Sequence, residues 1–185
     1  MRVVLASASP RRRELVTAAG LDVDVDPVDV DERVLAGETP AGYVERVARL
    51  KAEAGAARHP GRLVIGADTA VVIDDDVLGK PRDAADAAAM LRRLSGRDHD
   101  VMTGVAIAVD GRIQTFVERT RVSMAAMTAE DIEVYIAGGE PFDKAGAYAI
   151  QGGAARFITG VQGSYTNVVG LPMERFLQVL CSVGQ

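Results

Sequence analysis

Val3-Val4-Leu5-Ala6-Ser7-Ala8-Ser9-Pro10-Arg11-Arg12-Arg13-Glu14-Leu15-Val16, residues 3–16, passes from an apolar strand into a helix through one short turn. Val3, Val4 and Leu5 read as a buried strand, and Glu14, Leu15, Val16, Ala18 and Ala19 continue as helix to a stop at Gly20. Ser9 suits the N-cap and Pro10 the first helical position. The free N–H groups and the positive end of the helix therefore point to the same place as the arginines. That is an anion site in outline; the competing reading of this segment alone is a capped surface helix with solvated arginines. Three successive side chains cannot face one ligand from a helix, so Arg13 is expected to face solvent.

Outward from this turn, helices and strands alternate. Thr39-Pro40 starts an amphipathic helix carrying Tyr43, Val44, Val47, Ala48 and Lys51, which ends at Arg58-His59-Pro60-Gly61. Leu63, Val64 and Ile65 form an apolar run that Gly66-Ala67-Asp68-Thr69 interrupts before Ala70, Val71, Val72 and Ile73 resume it; Asp68 is expected near the sheet's edge. Asp74, Asp75 and Asp76 read as a solvated turn rather than a metal cluster. Asp83 caps a helix ending at Gly96, and two strands, Val101 to Val109 and Arg112 to about Met124, join through the hairpin signal Asp110-Gly111. Thr128 with Asp131 resembles a capping arrangement, Gly138 to Gly153 is a long polar and glycine-rich loop, and a last helix near Pro172 buries Phe176, Leu177 and Leu180. The alternation followed by a hairpin predicts an α/β fold, a mixed sheet flanked by helices.

At 185 residues the chain fits a single domain, residues 1–185. No apolar run approaches the ~18 residues of a membrane span, there is no signal-peptide core, and the single Cys181 forms no internal disulfide, which together predict a cytoplasmic protein without membrane partners. A net charge of −5 counts against nucleic-acid polymers, although a few convergent cations still suit a small polyphosphate. With two histidines and one cysteine the ligand set for zinc is poor, so any metal is a hard ion held by oxygen. Neither a P-loop nor a Gly-x-Gly-x-x-Gly turn follows a strand.

Six segments, Ser7-Ala8-Ser9-Pro10-Arg11-Arg12, Gly66-Ala67-Asp68-Thr69, Gly79-Lys80-Pro81, Asp143-Lys144-Ala145-Gly146, Ile150-Gln151-Gly152 and Val169-Gly170-Leu171-Pro172, resemble the Maf family in its own order and over nearly the whole chain. The resemblance implies an inosine-triphosphatase-like (Maf/Ham1) fold and a nucleoside triphosphate pyrophosphatase that cleaves between the α- and β-phosphates, with a homodimer expected from the resemblance alone. It implies Asp68 as catalytic proton acceptor, and places Glu32 and Lys51 in the cleft. Glu32 is a candidate metal ligand, with a solvated carboxylate as the alternative; magnesium or manganese is the expected cation because a cellular triphosphate carries one. Phosphoryl chemistry asks for positive charge on the phosphate oxygens, which Arg11, Arg12 and Lys80 supply, with Ser9 and the helix N-terminus as neutral donors.

Arg11, Thr69 and Gln151 resemble the Maf subfamily active on dTTP and UTP. A sister subfamily acting on 7-methyl-GTP has an aromatic residue, glutamine and glutamate at those places. Neutral Gln151 both donates and accepts, as a pyrimidine imide edge requires. Ala149 stands where the family commonly has glycine, and is expected to restrict the loop's backbone; Met173 replaces a common leucine. Tyr165 and Asn167 are read as loop packing ahead of base-pocket lining. The alternative function is a non-catalytic nucleotide-sensing protein in septum formation, with which the family has been linked.

Overall fold

Strand propensity, glycine placement and helix caps explain most of the architecture. The computed structural model describes residues 1–183. Its elements, in chain order, are β1 (Arg2–Leu5), α1 (Pro10–Ala18), β2 (Asp22–Val25), α2 (Pro40–Arg58), β3 (Val64–Ile73), β4 (Asp76–Leu78), α3 (Ala84–Leu94), β5 (Asp98–Val109), β6 (Arg112–Met124), α4 (Ala129–Ala137), β7 (Ile158–Gln162), α5 (Tyr165–Val169) and α6 (Met173–Val183). Between α4 and β7 the long polar loop folds into three 3₁₀ turns, Glu140–Asp143, Ala145–Ala147 and Gly153–Phe157.

The sheet runs β2-β1-β3-β5-β6-β7, with β4 hairpinned onto β3. β1 is parallel to β2 and β3, whereas β3, β5, β6 and β7 are antiparallel in succession, so the sheet is mixed as the element order predicts. The two hairpin turns, Asp74-Asp75 and Asp110-Gly111, hold both residues at positive φ, the conformation that matches the twist of a two-residue hairpin. Asp74 and Asp76 are paired with Arg93 and Arg97, and no metal-binding cluster occurs there among the described residues.

Contrary to the reading of a broken strand, β3 is continuous through Asp68 and lies in the middle of the sheet. It pairs with β5 from Val64 to Val72. On its other side β1 pairs only as far as Ile65 and β4 begins only at Val71, which leaves one edge of the central strand bare between them. Asp68 sits in that gap. Side chains alternate along β3: Val64, Ala70 and Val72 pack towards α2, while Ile65 and Ala67 join the core under α1 and α6, and Val71 and Ile73 the core under α3 and α4.

α2 lies unusually close to the sheet because the strands beneath it carry glycine. A Cβ on Gly66 would fall 2.2 Å from the Ala48 carbonyl oxygen, and one on Gly104 would fall 2.2 Å from that of Val44. Ala48, Ala52, Ala6 and Ala106 complete a seam of small residues. Leu177 corrects the expected burial of α6: Phe176 and Leu180 face the core, but Leu177 lies on the outer flank of the helix and is exposed.

Candidate active site

A cleft of about 590 Å³ opens at the bare edge of β3, of a size that takes a small-molecule ligand. The turn after β1, the loop carrying Glu32, α2, β3, the Gly79-Lys80 segment, the 3₁₀ loop and the end of α5 all contribute to its walls. Ser9, Arg11, Arg12, Glu32, Lys51, Asp68, Thr69, Lys80 and Gln151 are all brought to this one place from six separate segments. Arg13 is exposed and outside it.

The close seating of α2 sets the centre of the site. Lys51 is buried, and its Nζ donates to Asp68 Oδ1 at 2.9 Å and lies 2.8 Å from Glu32 Oε1. One ammonium thus bridges and spaces two carboxylates, offsetting the buried Asp68 while it also reaches Glu32 at the rim. Asp68 is almost wholly buried, whereas the Glu32 side chain is half exposed and faces the opening. The loop bearing Glu32 has no regular structure; Arg46 of α2 holds it, donating to the carbonyls of Asp31 (3.3 Å) and Arg33 (2.9 Å), on either side of Glu32. Arg46 is itself clamped by Glu38 through contacts of 2.6 and 2.9 Å, and the hydrogen bonds it donates hold the Glu38 carboxyl below the usual range. Burial, reinforced by the charges of Asp68 and Glu32, raises the pKa of Tyr43 on the same wall and keeps its hydroxyl neutral.

The five cations of the cleft divide into two kinds, and Lys144 is of the committed kind, its Nζ donating to Glu140 O at 3.1 Å and pairing with Asp143. Arg12 is buried and donates to Gly170 O, Ser7 Oγ, Ala67 O and Thr69 Oγ1, each at 2.9 Å. Four of its five N–H donors are therefore committed to the protein. The Ala67 bond occupies a carbonyl that the ladder to β1 leaves behind, so Arg12 stands in for the missing strand. Burial lowers the Arg12 pKa, opposed by the charge of Asp68. Lys51 is likewise committed. Arg11 and Lys80, by contrast, make no hydrogen bond or ion pair among the described residues and line the cleft with free charge. Ser9 caps α1, its Oγ accepting from Arg12 N at 3.4 Å, and Pro10 occupies the first turn.

Thr69 points to the other face of the sheet from Asp68, where its Oγ1 lies 2.9 Å from Thr103 Oγ1 and accepts from Arg12. Gln151 is exposed at the apex of the 3₁₀ loop. Ala149 does not take a positive φ, so it restricts nothing that glycine would have allowed; Gly146 and Ala147 carry the left-handed turn instead, with Gly146 N donating to Gly79 O at 3.0 Å. Asn167 is buried and donates to Val101 O and Thr120 Oγ1, the packing role read for it, whereas Tyr165 is exposed outside the cleft and neither packs the loop nor lines the site. Arg46 was not singled out by the sequence; the only trace of its role is that charged residues flank the loop bearing Glu32.

A mixed sheet with a cleft at the end of its first strand, walled by a capped helix start, free cations and a buried carboxylate, defines an α/β protein of the Maf/Ham1 type of fold. The structure of the Staphylococcus aureus Ham1 protein shares the fold across the whole of both chains, with a TM-score of 0.54 at 16% identity. The chain belongs to the Maf family: the model of Maf-like proteins matches residues 2–183. It is similar to the dTTP/UTP pyrophosphatase of Geotalea uraniireducens strain Rf4, 51% identical over 98% of this chain and 95% of that protein. The dTTP/UTP pyrophosphatase of Myxococcus xanthus strain DK1622 is 52% identical over 98% of this chain and 92% of its own length. No helix among the described residues is long and apolar enough to cross a membrane.

Proposed function

We propose that this protein is a pyrophosphatase that hydrolyses dTTP and UTP to the monophosphate and pyrophosphate. The observation that carries the reading is the juxtaposition of a buried, lysine-held carboxylate, Asp68, with two unpaired cations, Arg11 and Lys80, in one cleft, in a chain half identical to dTTP/UTP pyrophosphatases. In the reaction a water oxygen adds to the α-phosphorus, the bond to the bridging oxygen breaks, and pyrophosphate leaves with that electron pair. Asp68 takes the proton from the water. Arg11 and Lys80 neutralise the phosphate oxygens, Arg12 contributes its one remaining N–H, and Ser9 with the helix start adds neutral donors. Lys51 keeps Asp68 and Glu32 apart and in place. Gln151 and Thr69 stand on the side where the base lies.

The half-exposed carboxylate of Glu32 fits a magnesium or manganese ion that arrives with the substrate, because such an ion is content with one or two carboxylates alongside water and substrate phosphates. Held by Glu32, the ion would supply shielding of the charge on the attacked phosphate. The proposal includes a single catalytic domain over residues 1–185, a cytoplasmic setting, a homodimer on the strength of the resemblance, and no nucleic-acid polymer as partner.

The test is pyrophosphate release from dTTP, UTP, CTP, GTP and 7-methyl-GTP with magnesium or manganese, comparing the native chain with Asp68→Asn, alongside equilibrium nucleotide binding. Turnover of dTTP and UTP that falls about 10²–10⁴-fold in the variant, with binding retained, supports the proposal. Binding without release from any triphosphate by the folded native protein overturns it in favour of the nucleotide-sensing role.

A further inference from the structure

The Gln151 loop is tied at both ends to a single pair of side chains. Tyr135, on the last turns of α4, is buried; its hydroxyl accepts from Ala149 N at 3.3 Å and donates to Glu140 Oε1 at 2.7 Å. The other oxygen of the same carboxylate accepts from Gly153 N at 2.9 Å. Between those two anchors the chain makes one tight turn, Gly152 N donating to Ala149 O at 3.2 Å, and Gln151 stands at its tip. The carboxylate is pressed so close to the turn that a Cβ on Gly152 would fall 1.8 Å from Glu140 Oε1. A third tether lies at the base of the loop, where Tyr148 Oη is 2.6 Å from His99 Nε2. Glu140 itself lies in the glycine-rich stretch whose length the fold alone does not explain.

Hydrogen-bond reading of a base edge demands a carboxamide placed to a fraction of an ångström, and side chains at a loop tip achieve this only when the backbone beneath them is held. We propose that the Tyr135–Glu140 pair is a positioning device that fixes the Gln151 carboxamide and so sets nucleobase selection. Neither residue touches the substrate, and the proposal rests on the reading of Gln151 as the residue facing the base. Selection is then a property of two shells: the amide that meets the base, and a phenol and carboxylate that hold the amide's backbone from behind. Tyr135→Phe keeps the ring and its packing while removing the hydroxyl. Glu140→Gln keeps the shape but leaves one acceptor oxygen for two donors, so either the Tyr135 hydroxyl or Gly153 N–H loses the oxygen it donates to.

The experiment measures kcat and KM for UTP, CTP and GTP in the native protein, Tyr135→Phe, Glu140→Gln and Gln151→Ala, with inhibition by inorganic pyrophosphate as a readout of the phosphate end. The expected result is that all three variants lower the kcat/KM ratio of UTP over CTP and GTP by about tenfold or more, chiefly through KM for UTP, while pyrophosphate inhibition stays within about twofold. A ratio that falls in Gln151→Ala but holds in both other variants overturns the positioning role and leaves the Gln151 reading standing. A ratio unchanged in Gln151→Ala overturns that reading and this inference with it. Equal loss for every nucleotide in Tyr135→Phe and Glu140→Gln, with weakened pyrophosphate inhibition, marks the pair as merely structural and also overturns it.

Discussion

Gly66→Ala tests the link between helix seating and the active site. The added methyl would lie 2.2 Å from the Ala48 carbonyl oxygen, 2.6 Å from Ala52 N and 3.0 Å from Ala52 Cβ. Two of these neighbours are helix backbone and cannot turn aside, so α2 has to withdraw by about 1 Å to restore a tolerable contact. Overpacking of this kind costs roughly 1–3 kcal/mol, which in a chain of this size lowers the melting temperature by roughly 2–12 °C. Lys51 rides on the same turn as Ala48 and Ala52, so its ammonium is drawn from Asp68, now 2.9 Å away. A displacement of ~1 Å in a catalytic array costs on the order of 10²-fold; the flexible lysine stem absorbs part of it, so kcat for UTP should fall about ten- to hundredfold. Gly104→Ala meets the backbone of Val44 at the same 2.2 Å but two turns from Lys51, and should lower the melting temperature comparably with a smaller loss of kcat. Thermal melting by circular dichroism and steady-state pyrophosphate release read the two effects separately. If Gly66→Ala melts within 1 °C of the native protein and turns over normally, α2 does not rest on Gly66 and the account of how Lys51 is placed is wrong.

The two kinds of cation should separate in mutagenesis. Arg11→Ala should raise KM for UTP with little change in melting temperature, because its guanidinium makes no internal bond. Arg12→Lys should destabilise the fold, on the order of 3 kcal/mol in urea unfolding, because one ammonium cannot serve four acceptors on three segments. Arg46→Ala frees the carbonyls flanking Glu32; kcat should fall and the concentration of magnesium needed for half-maximal activity should rise, with KM at saturating metal nearly unchanged. His99 is buried, which lowers its pKa from 6.5 to about 4, so the unfolded chain binds more protons than the native one between those values. Its contribution to stability is therefore full above pH 6.5 and lost as pH falls towards 4; a His99→Gln variant should show a shallower fall in melting temperature across that window, and an unchanged slope would contradict the burial argument.

Much of this architecture is legible locally. The cap Ser9-Pro10, the turn pairs Asp74-Asp75 and Asp110-Gly111 and the capping box at Thr128 each announce themselves through chemistry within four residues. What escapes is chemistry supplied from a distance. Asp68 looks like a break in β3 because an aspartate in a central strand is costly, and the ammonium that makes it tolerable comes from Lys51, 17 residues earlier on a helix laid across the sheet. Gly66 looks like part of the same break, yet its function is to admit that helix. β2 alternates strictly as Asp-Val-Asp-Val but is only four residues long, β7 carries no clear alternation, and Ala149 matters less than its neighbour Ala147, which bears the positive φ. Arg11 and Arg12 are indistinguishable in sequence, but a rotation of about 100° between adjacent helical residues sends one into the cleft and the other into the protein.

That division bears on how an acidic chain holds a polyanion. Charges that organise the site, Arg12 and Lys51, are buried and matched by carbonyls, hydroxyls and carboxylates, so they add little net attraction outside it. The charges proposed to meet the ligand, Arg11 and Lys80, make no hydrogen bond or ion pair among the described residues, although Asp143 on the same wall lies near enough to feel the charge of Arg11. Were all the cleft's cations free, the empty cleft would carry strong self-repulsion; were all of them paired, a triphosphate would have to break ion pairs in order to bind. With both kinds present the self-repulsion is limited and incoming phosphates would meet charge already in place, so the strand gap filled by Arg12 and the carboxylates held by Lys51 are preconditions for the free cations to act.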